Sequence, residues 1–196
     1  MTETTAIASS SGVRAQRADA RRNRAKVLDA ASRQFAERGL DAQMEEIARH
    51  AGVGVGTVYR HFPTKEALLE ALADRRFGAK ADAAREALEF DDPWAGFVHF
   101  MQRATRITAE DLALSEAMGQ LPGLCGEAAV RAGLFELVEE LVERAHASGQ
   151  LRRDIGPEDI PSLVSGVGHA VHAGDRVAPA MSWERYLEIM LGGLRA

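Results

Sequence analysis

Apolar residues recur along this chain at intervals of three and four, the period of helices that bury one face. From about Asp19, Leu28, Ala31 and Phe35 form such a stripe, which ends at Gly39, a residue suited to the left-handed turn after a helix. Met44, Ile47, Ala48 and Ala51 predict a short second helix, and a third runs from about Val55 to His61 and stops before Pro63. Thr64 then caps a long fourth helix, with Glu66 in its positive first turn and Leu68, Leu69 and Leu72 opening its stripe. This helix continues through an alanine-rich stretch to about Phe90.

Asp92-Pro93 restarts the chain as a cap followed by a first-turn proline, and Trp94, Phe97, Val98 and Met101 mark a fifth helix. A sixth lies near Asp111 to Met118, ahead of Pro122-Gly123. A seventh carries Leu134, Leu137, Val138, Leu141, Val142 and Ala145 and stops at Gly149. GQLRRDIGPEDI is a connector whose Pro157 opens an eighth, with Ile160, Leu163, Val164 and Val167. Ser182 caps the last, where Trp183, Tyr186, Leu187, Met190, Leu191 and Leu194 share one stripe. The fold class is therefore all-α, with about nine helices. Only VGVGTV suggests strand alternation, and its glycines argue against it.

Composition narrows the classes of function. The 196 residues are 46% hydrophobic and 27% charged, the balance of a globular protein. With Cys125 as the single cysteine no internal disulfide can form, which fits a reducing, cytoplasmic setting. No apolar run approaches the roughly 20 residues of a membrane span. The net charge of −5 conceals an asymmetry: residues 1–62 carry ten basic and seven acidic side chains, the remainder fourteen and twenty-two. Between Arg14 and Lys26 six basic residues are opposed by Asp19 alone. Such a run is either a solvated helix face or a phosphate-seeking arm, because association depends on the local field. Residues 1–19 lack an apolar signal core and read as a disordered basic arm.

The stretch AGVGVGTVYRHFPTKEALL carries the chemistry. Its glycines lie at Gly52, Gly54 and Gly56, which is neither G-x-G-x-x-G after a buried strand nor G-x-x-x-x-G-K-[ST]. The preceding MEEIARHA is charged and helical, so a nucleotide-cradling loop is excluded. A helix-turn-helix accounts for the residues better. It needs a small residue where its helices cross, a turn residue at positive φ, and an inward apolar residue in the second helix. Ala48, Gly52 and Val58 fill those places, and Met44, Ile47, Val53 and Phe62 complete a small core.

With Phe35, Gly39, Met44, Ile47-Ala48, Ala51-Gly52-Val53 and the run GTVYRHFPTKEALL, residues 20–80 resemble the DNA-binding domain of the tetracycline-repressor (TetR) family of transcriptional regulators. The resemblance implies a helix-turn-helix at about 43–62, and a ligand-binding and dimerisation domain over 81–196. It places the third helix in the major groove, presenting Val55, Gly56, Thr57, Tyr59, Arg60 and His61. Tyr59 and His61 match the family's phosphate-contacting pair, and Lys65 adds a phosphate contact. At Gln43 the family often has a threonine that caps the second helix and touches a phosphate, and glutamine caps poorly. For Tyr59 the alternative is a packed core aromatic, and for His61 a solvated surface residue. With two glycines and a valine on the reading face, phosphate contacts and DNA shape carry much of the affinity. Arg21, Arg22 and Arg24 are candidates to reach the backbone or flanking minor groove.

The resemblance further implies a homodimer on a palindromic operator, released by a small-molecule effector, with the last two helices forming the interface. Leu163, Val164, Val167 and Val171 on one helix and Trp183, Tyr186, Leu187, Met190 and Leu191 on the other are the candidates. Either stripe can instead pack into the monomer core. Trp94, Phe97, Met101, Met118, Leu121, Phe135 and His169 are candidate pocket residues, although Met and aromatic residues at helical spacing also build plain cores. His169 and His172 have no carboxylate at a matching spacing, so no metal is expected. No nucleophile–base pair or paired carboxylates suggest catalysis, and neither a cofactor nor a membrane partner is implied. The same fold without a small-molecule inducer, controlled by a protein partner or binding constitutively, is the competing function.

Overall fold

The structure, a computed structural model, describes residues 4–110, 112–121, 123–167 and 182–196. It forms two compact units, Met1–Leu72 and Ala73–Ala196. Among the described residues there are helices and no strand, apart from an isolated bridge between Leu151 and Arg195.

The first unit contains α1 (Thr4–Arg38), a 3-10 turn (Gly39–Asp41), α2 (Met44–Ala51), α3 (Val55–His61) and the start of α4 (Lys65–Leu88). The segment expected as a disordered arm, residues 1–19, is instead helical from Thr4. From Arg14 onward alanine and arginine dominate and no proline intervenes, so the helix extends backward through them. Gly39 and Gly52 take φ of 56° and 66°, the left-handed turns anticipated at those positions. Phe35, Ile47, Val58 and Leu68 are wholly buried, with Leu28, Ala31, Ala48, Phe62 and Leu69 nearly so. A large apolar side chain so buried stabilises the unit by roughly 1.5–3 kcal/mol. Thr64 caps α4 by accepting from the Ala67 amide at 3.1 Å.

The second unit holds the rest of α4, then α5 (Pro93–Ala109), α6 (Leu112–Gly119), α7 (Leu124–Ala132), α8 (Leu134–Ala147), α9 (residues 160–167) and α10 (Trp183–Leu194). Helix α7 is an addition to the nine expected from periodicity. It lies between left-handed glycines, Gly123 and Gly133, and its buried side includes the small residues Ala128 and Ala129. Alanine makes α4 and α5 pack closely: Ala81, Ala83, Ala84 and Ala87 are buried, and Gly96 faces the Ala87 carbonyl. Asp92 caps α5 through the Trp94 amide at 3.0 Å, and Ser182 caps α10 through that of Arg185. Arg144 of α8 donates to the carbonyl of Leu88, which α4 leaves unsatisfied at its end, and to that of Phe90 just beyond it. Arg152 and Ala196 pair their amides with Leu194 and Gln150, fixing the end of α10.

Candidate nucleic-acid interface

Helices α2 and α3 are held from behind. Met44, Ile47, Ala48, Ala51 and Val58 turn into the core, while Val55 and Tyr59 remain 43% and 41% exposed. Gly54, Gly56 and Arg60 are also exposed, and Thr57 is half-buried. The outer face of α3 is therefore Gly54, Val55, Gly56, Tyr59 and Arg60, with no side chain built over the glycines. An added Cβ at Gly54 or Gly56 would meet nothing within 4 Å, so the fold itself does not demand glycine there. Gly52 differs, because its left-handed backbone disfavours any side chain.

The polar groups around this face are partly engaged. The Tyr59 hydroxyl donates to Glu45 Oε1 at 3.3 Å. Desolvation, then the Glu45 carboxylate, raise the phenol above its usual pKa, so it remains a donor at neutral pH. Tyr59 is thus not a core aromatic. His61 is half-buried, with Nε2 out of solvent and without a hydrogen-bond partner among the described residues. Desolvation and the neighbouring Arg60 and Arg24 lower its pKa, keeping the ring neutral at pH 7. Lys65 donates from Nζ to the Leu40 carbonyl at 2.8 Å, tying α4 to the turn after α1. Arg24 stacks its guanidinium over Phe62, 5.2 Å from the ring centroid, at the carboxyl end of α3. Arg22 is exposed and pairs with Asp19.

Gln43 occupies the cap position of α2 without a side-chain cap bond, its amide donating instead to the Asp41 carbonyl at 2.8 Å. The amino end of α2 is therefore uncapped by that side chain, and Glu45 and Glu46 in its first turn offset the partial positive charge there. Glu45 beside Tyr59 has no signal in the sequence, since a separation of fourteen residues means nothing until the turn geometry is known.

The remaining candidates divide within the second unit. Trp94, Phe97, Met101 and Met118 are buried, and Leu121 is half-buried. Phe135 is 48% exposed, so it does not join that interior. It stands one residue round from the buried row Leu134, Val138, Leu141 and Ala145 of α8. Of the interface candidates, Val164, Val167, Leu187 and Leu191 are buried inside the unit. Leu163, Tyr186 and Met190, with Val167 and the unforeseen Ile189, line an open apolar groove of about 370 Å³ between α9 and α10. Ile189 is 54% exposed and Trp183 half-buried. Val171, His169 and His172 lie outside the described residues. Among the described residues no group of His, Cys, Asp and Glu is placed to hold a metal, and no helix is long and apolar enough to cross a membrane.

A short exposed helix carried on a buried helix-turn-helix, next to basic side chains, defines a DNA-binding regulator. Comparison with known proteins makes the class specific. Residues 27–72 match the bacterial regulatory proteins of the tetR family, and residues 92–196 match the C-terminal domain of SbtR-like transcriptional regulators. The chain is 36% identical to a TetR transcription regulatory protein from Mycobacterium vanbaalenii, covering 92% of this chain and 99% of that one, with a TM-score of 0.63. A TetR transcriptional regulator from Streptomyces coelicolor is 32% identical, over 88% of this chain and 98% of that one, with a TM-score of 0.65. The transcriptional repressor KstR of Mycobacterium tuberculosis is 32% identical over 68% of this chain, and the match spans 63% of KstR's own length. The chain belongs to the TetR family: it is a transcriptional regulator with an N-terminal helix-turn-helix and a helical C-terminal domain, and it is not an enzyme.

Proposed function

We propose that this protein is a cytoplasmic homodimeric repressor that occupies a palindromic operator through α3 and leaves it when a small molecule binds the second unit. The observation that carries the DNA reading is the bare outer face of α3, supported from behind by Val58 and Phe62. Val55 meets a thymine methyl, and Thr57 and Arg60 reach base edges or phosphates. Gly56 lets the backbone approach the groove. Tyr59, His61, Lys65 and Gln43 hold flanking phosphates, with Arg22 and Arg24 beyond them. The repressor names of relatives such as KstR support repression as the mode.

One helix of this size reads few base pairs, so tight binding calls for two heads on two half-sites. The apolar groove of α9 and α10 supplies a self-complementary face for that pairing, centred on Leu163, Tyr186, Ile189 and Met190. A ligand bound among Trp94, Phe97, Met101, Met118 and Leu121 shifts the dimer only by its differential affinity for the DNA-incompetent state. Sedimentation of the wild type and of Ile189→Asp/Met190→Asp tests the assembly. A dimer that becomes a folded monomer with loss of DNA affinity is the expected result. A wild-type monomer that still binds duplex tightly refutes the dimer reading.

A further inference from the structure

The early part of α1 from Arg14 to Arg24 reads RAQRADARRNR, and it continues the helix whose later turns pack on α2 and α3. Joined to turns already nucleated, such a segment needs only propagation, for which alanine, arginine and glutamine are well suited. At helical spacing Arg14, Arg17, Arg21 and Arg24 fall within an arc of about 80°, one above another. The same line runs on through Leu28 and Phe35, both buried in the unit. Asp19, the acidic residue of the segment, stands on the opposite side and pairs with Arg22. Arg14, Arg17 and Arg21 are exposed and have no acidic partner among the described residues.

Like charges three and four residues apart weaken a helix, so this row costs the free protein stability rather than adding to it. A solvated helix face laced with ion pairs alternates the sign of its charges, and this row does not. The row is also anchored. At its inner end Arg24 lies over Phe62, 5.2 Å from the ring centroid, where α3 finishes. There its guanidinium is close enough to His61 to act on the imidazole, and His61 is one of the groups proposed above to hold a phosphate. The row therefore leaves the head beside the proposed DNA face and extends about 15 Å from Arg24 to Arg14. Between those two residues there is no large apolar side chain, so the segment has nothing to bury in a bilayer.

We propose that Arg14, Arg17, Arg21 and Arg24 form a stiff helical rail that lies against the phosphate backbone of the duplex, next to the groove that α3 enters. The partner is the duplex on grounds of charge: four aligned guanidinium groups meet a polyanion, and each can take a phosphate bidentately. Because the helix holds them in line beforehand, little ordering remains to be done on binding. The contacts go to phosphate and carry no sequence information, so they strengthen specific and non-specific binding alike. The inference rests on the DNA reading of α3 and extends it to Arg14 and Arg17, well outside the helix-turn-helix.

The test titrates the full-length protein against a fluorescent mixed-sequence duplex of about 30 base pairs, by anisotropy, at salt from about 0.05 to 0.2 M. Arg14→Gln/Arg17→Gln removes the outer half of the row, and Lys26→Gln/Arg33→Gln removes equal charge from the solvent side of α1. Ala20→Pro keeps every charge and breaks the helix between the two halves of the row. Glutamine matches arginine and lysine in helix propensity, so both pairs should keep the wild-type unfolding midpoint. At about 0.1 M salt the row pair should bind roughly five- to tenfold more weakly for each arginine removed, with the salt slope reduced by about 0.9 for each. The opposite pair should stay within about twofold of the wild type, since its charges face away and are screened. Ala20→Pro should reproduce the loss of the row pair. Equal loss from both pairs makes the effect one of net charge and overturns the rail. A weakened row pair beside an Ala20→Pro protein of wild-type affinity assigns the charges to a flexible arm, which also overturns it. A row pair that binds like the wild type overturns the rail alone when Arg60→Ala still weakens binding. A wild type without duplex affinity overturns the rail and the DNA reading of α3 together.

Discussion

Gly56→Ala separates what α3 needs for folding from what it needs for DNA. The added methyl meets no atom within 4 Å, and Gly56 is not in the left-handed region. In the unbound protein the change should therefore stabilise α3, by up to about 1 kcal/mol from helix propensity alone and less because the position is near the helix end. For a chain of this length that corresponds to a rise of roughly 1–4 °C in the unfolding midpoint. On DNA the same methyl projects from the face proposed to enter the groove and holds the backbone away from its partners. A loss of at least about tenfold in affinity, near 1.4 kcal/mol, is expected. Gly52→Ala is the contrasting control: at φ 66° it should destabilise by about 1–2 kcal/mol. Its DNA affinity should fall only with the folded fraction. Thermal unfolding and fluorescence anisotropy on one duplex, at fixed ionic strength, read both quantities. A Gly56→Ala protein that is stabilised yet binds the duplex like the wild type would refute close backbone approach as the reason for glycine.

Other expectations follow from single interactions. Gly96→Ala drives a Cβ into the Ala87 carbonyl oxygen and should destabilise by about 1–3 kcal/mol in urea unfolding, whereas Gly78→Ala, with open space around it, should not. Glu45→Ala frees the Tyr59 hydroxyl and removes a negative charge near the proposed phosphate path, so duplex affinity should rise at low salt and the gain should fade as salt is added. Arg22→Ala/Arg24→Ala should weaken binding and reduce the salt slope by about 0.9 for each phosphate no longer neutralised, and an unchanged slope would remove these residues from the interface. Lys80 has its pKa lowered in the folded state, so its penalty is complete below pH 8 and disappears as pH rises toward 10.5. Lys80→Met should thus be the more stable protein at pH 7, by at most on the order of 3 kcal/mol and less because the residue is only half-buried, with the advantage shrinking above pH 8.

The helix-turn-helix was legible because its determinants are local. Met44 to Ala51 and Val55 to His61 are bounded by Gly52, Gly54 and Pro63, and each inward residue stands at a position the helical period alone assigns. Helix α7 is hidden in the sequence because Ala128 and Ala129 give a shallow apolar stripe and glycines flank it on both sides, so the segment reads as a loop. The last helix is plain from its period, but its stripe is wide enough to serve two neighbours. Leu187 and Leu191 turn into the unit while Tyr186 and Met190 face the groove with Ile189, a choice set by tertiary packing and absent from spacing. Phe135 shows the same limit from the other side, because hydrophobicity alone does not reveal that α8 turns it outward. The engagements of Tyr59 with Glu45 and Lys65 with Leu40 join distant positions, which only the folded chain brings together.

Sequence-specific recognition of duplex DNA by paired copies of α3 is tested most directly by selecting binders from a random duplex pool at moderate ionic strength. Two inverted half-sites, with centres a whole number of helical turns apart, are the expected outcome, and α3 substitutions such as Arg60→Ala or Gly56→Ala should alter or abolish their enrichment. A pool that emerges without sequence preference, or with a single unpaired motif bound by one subunit, would contradict the account.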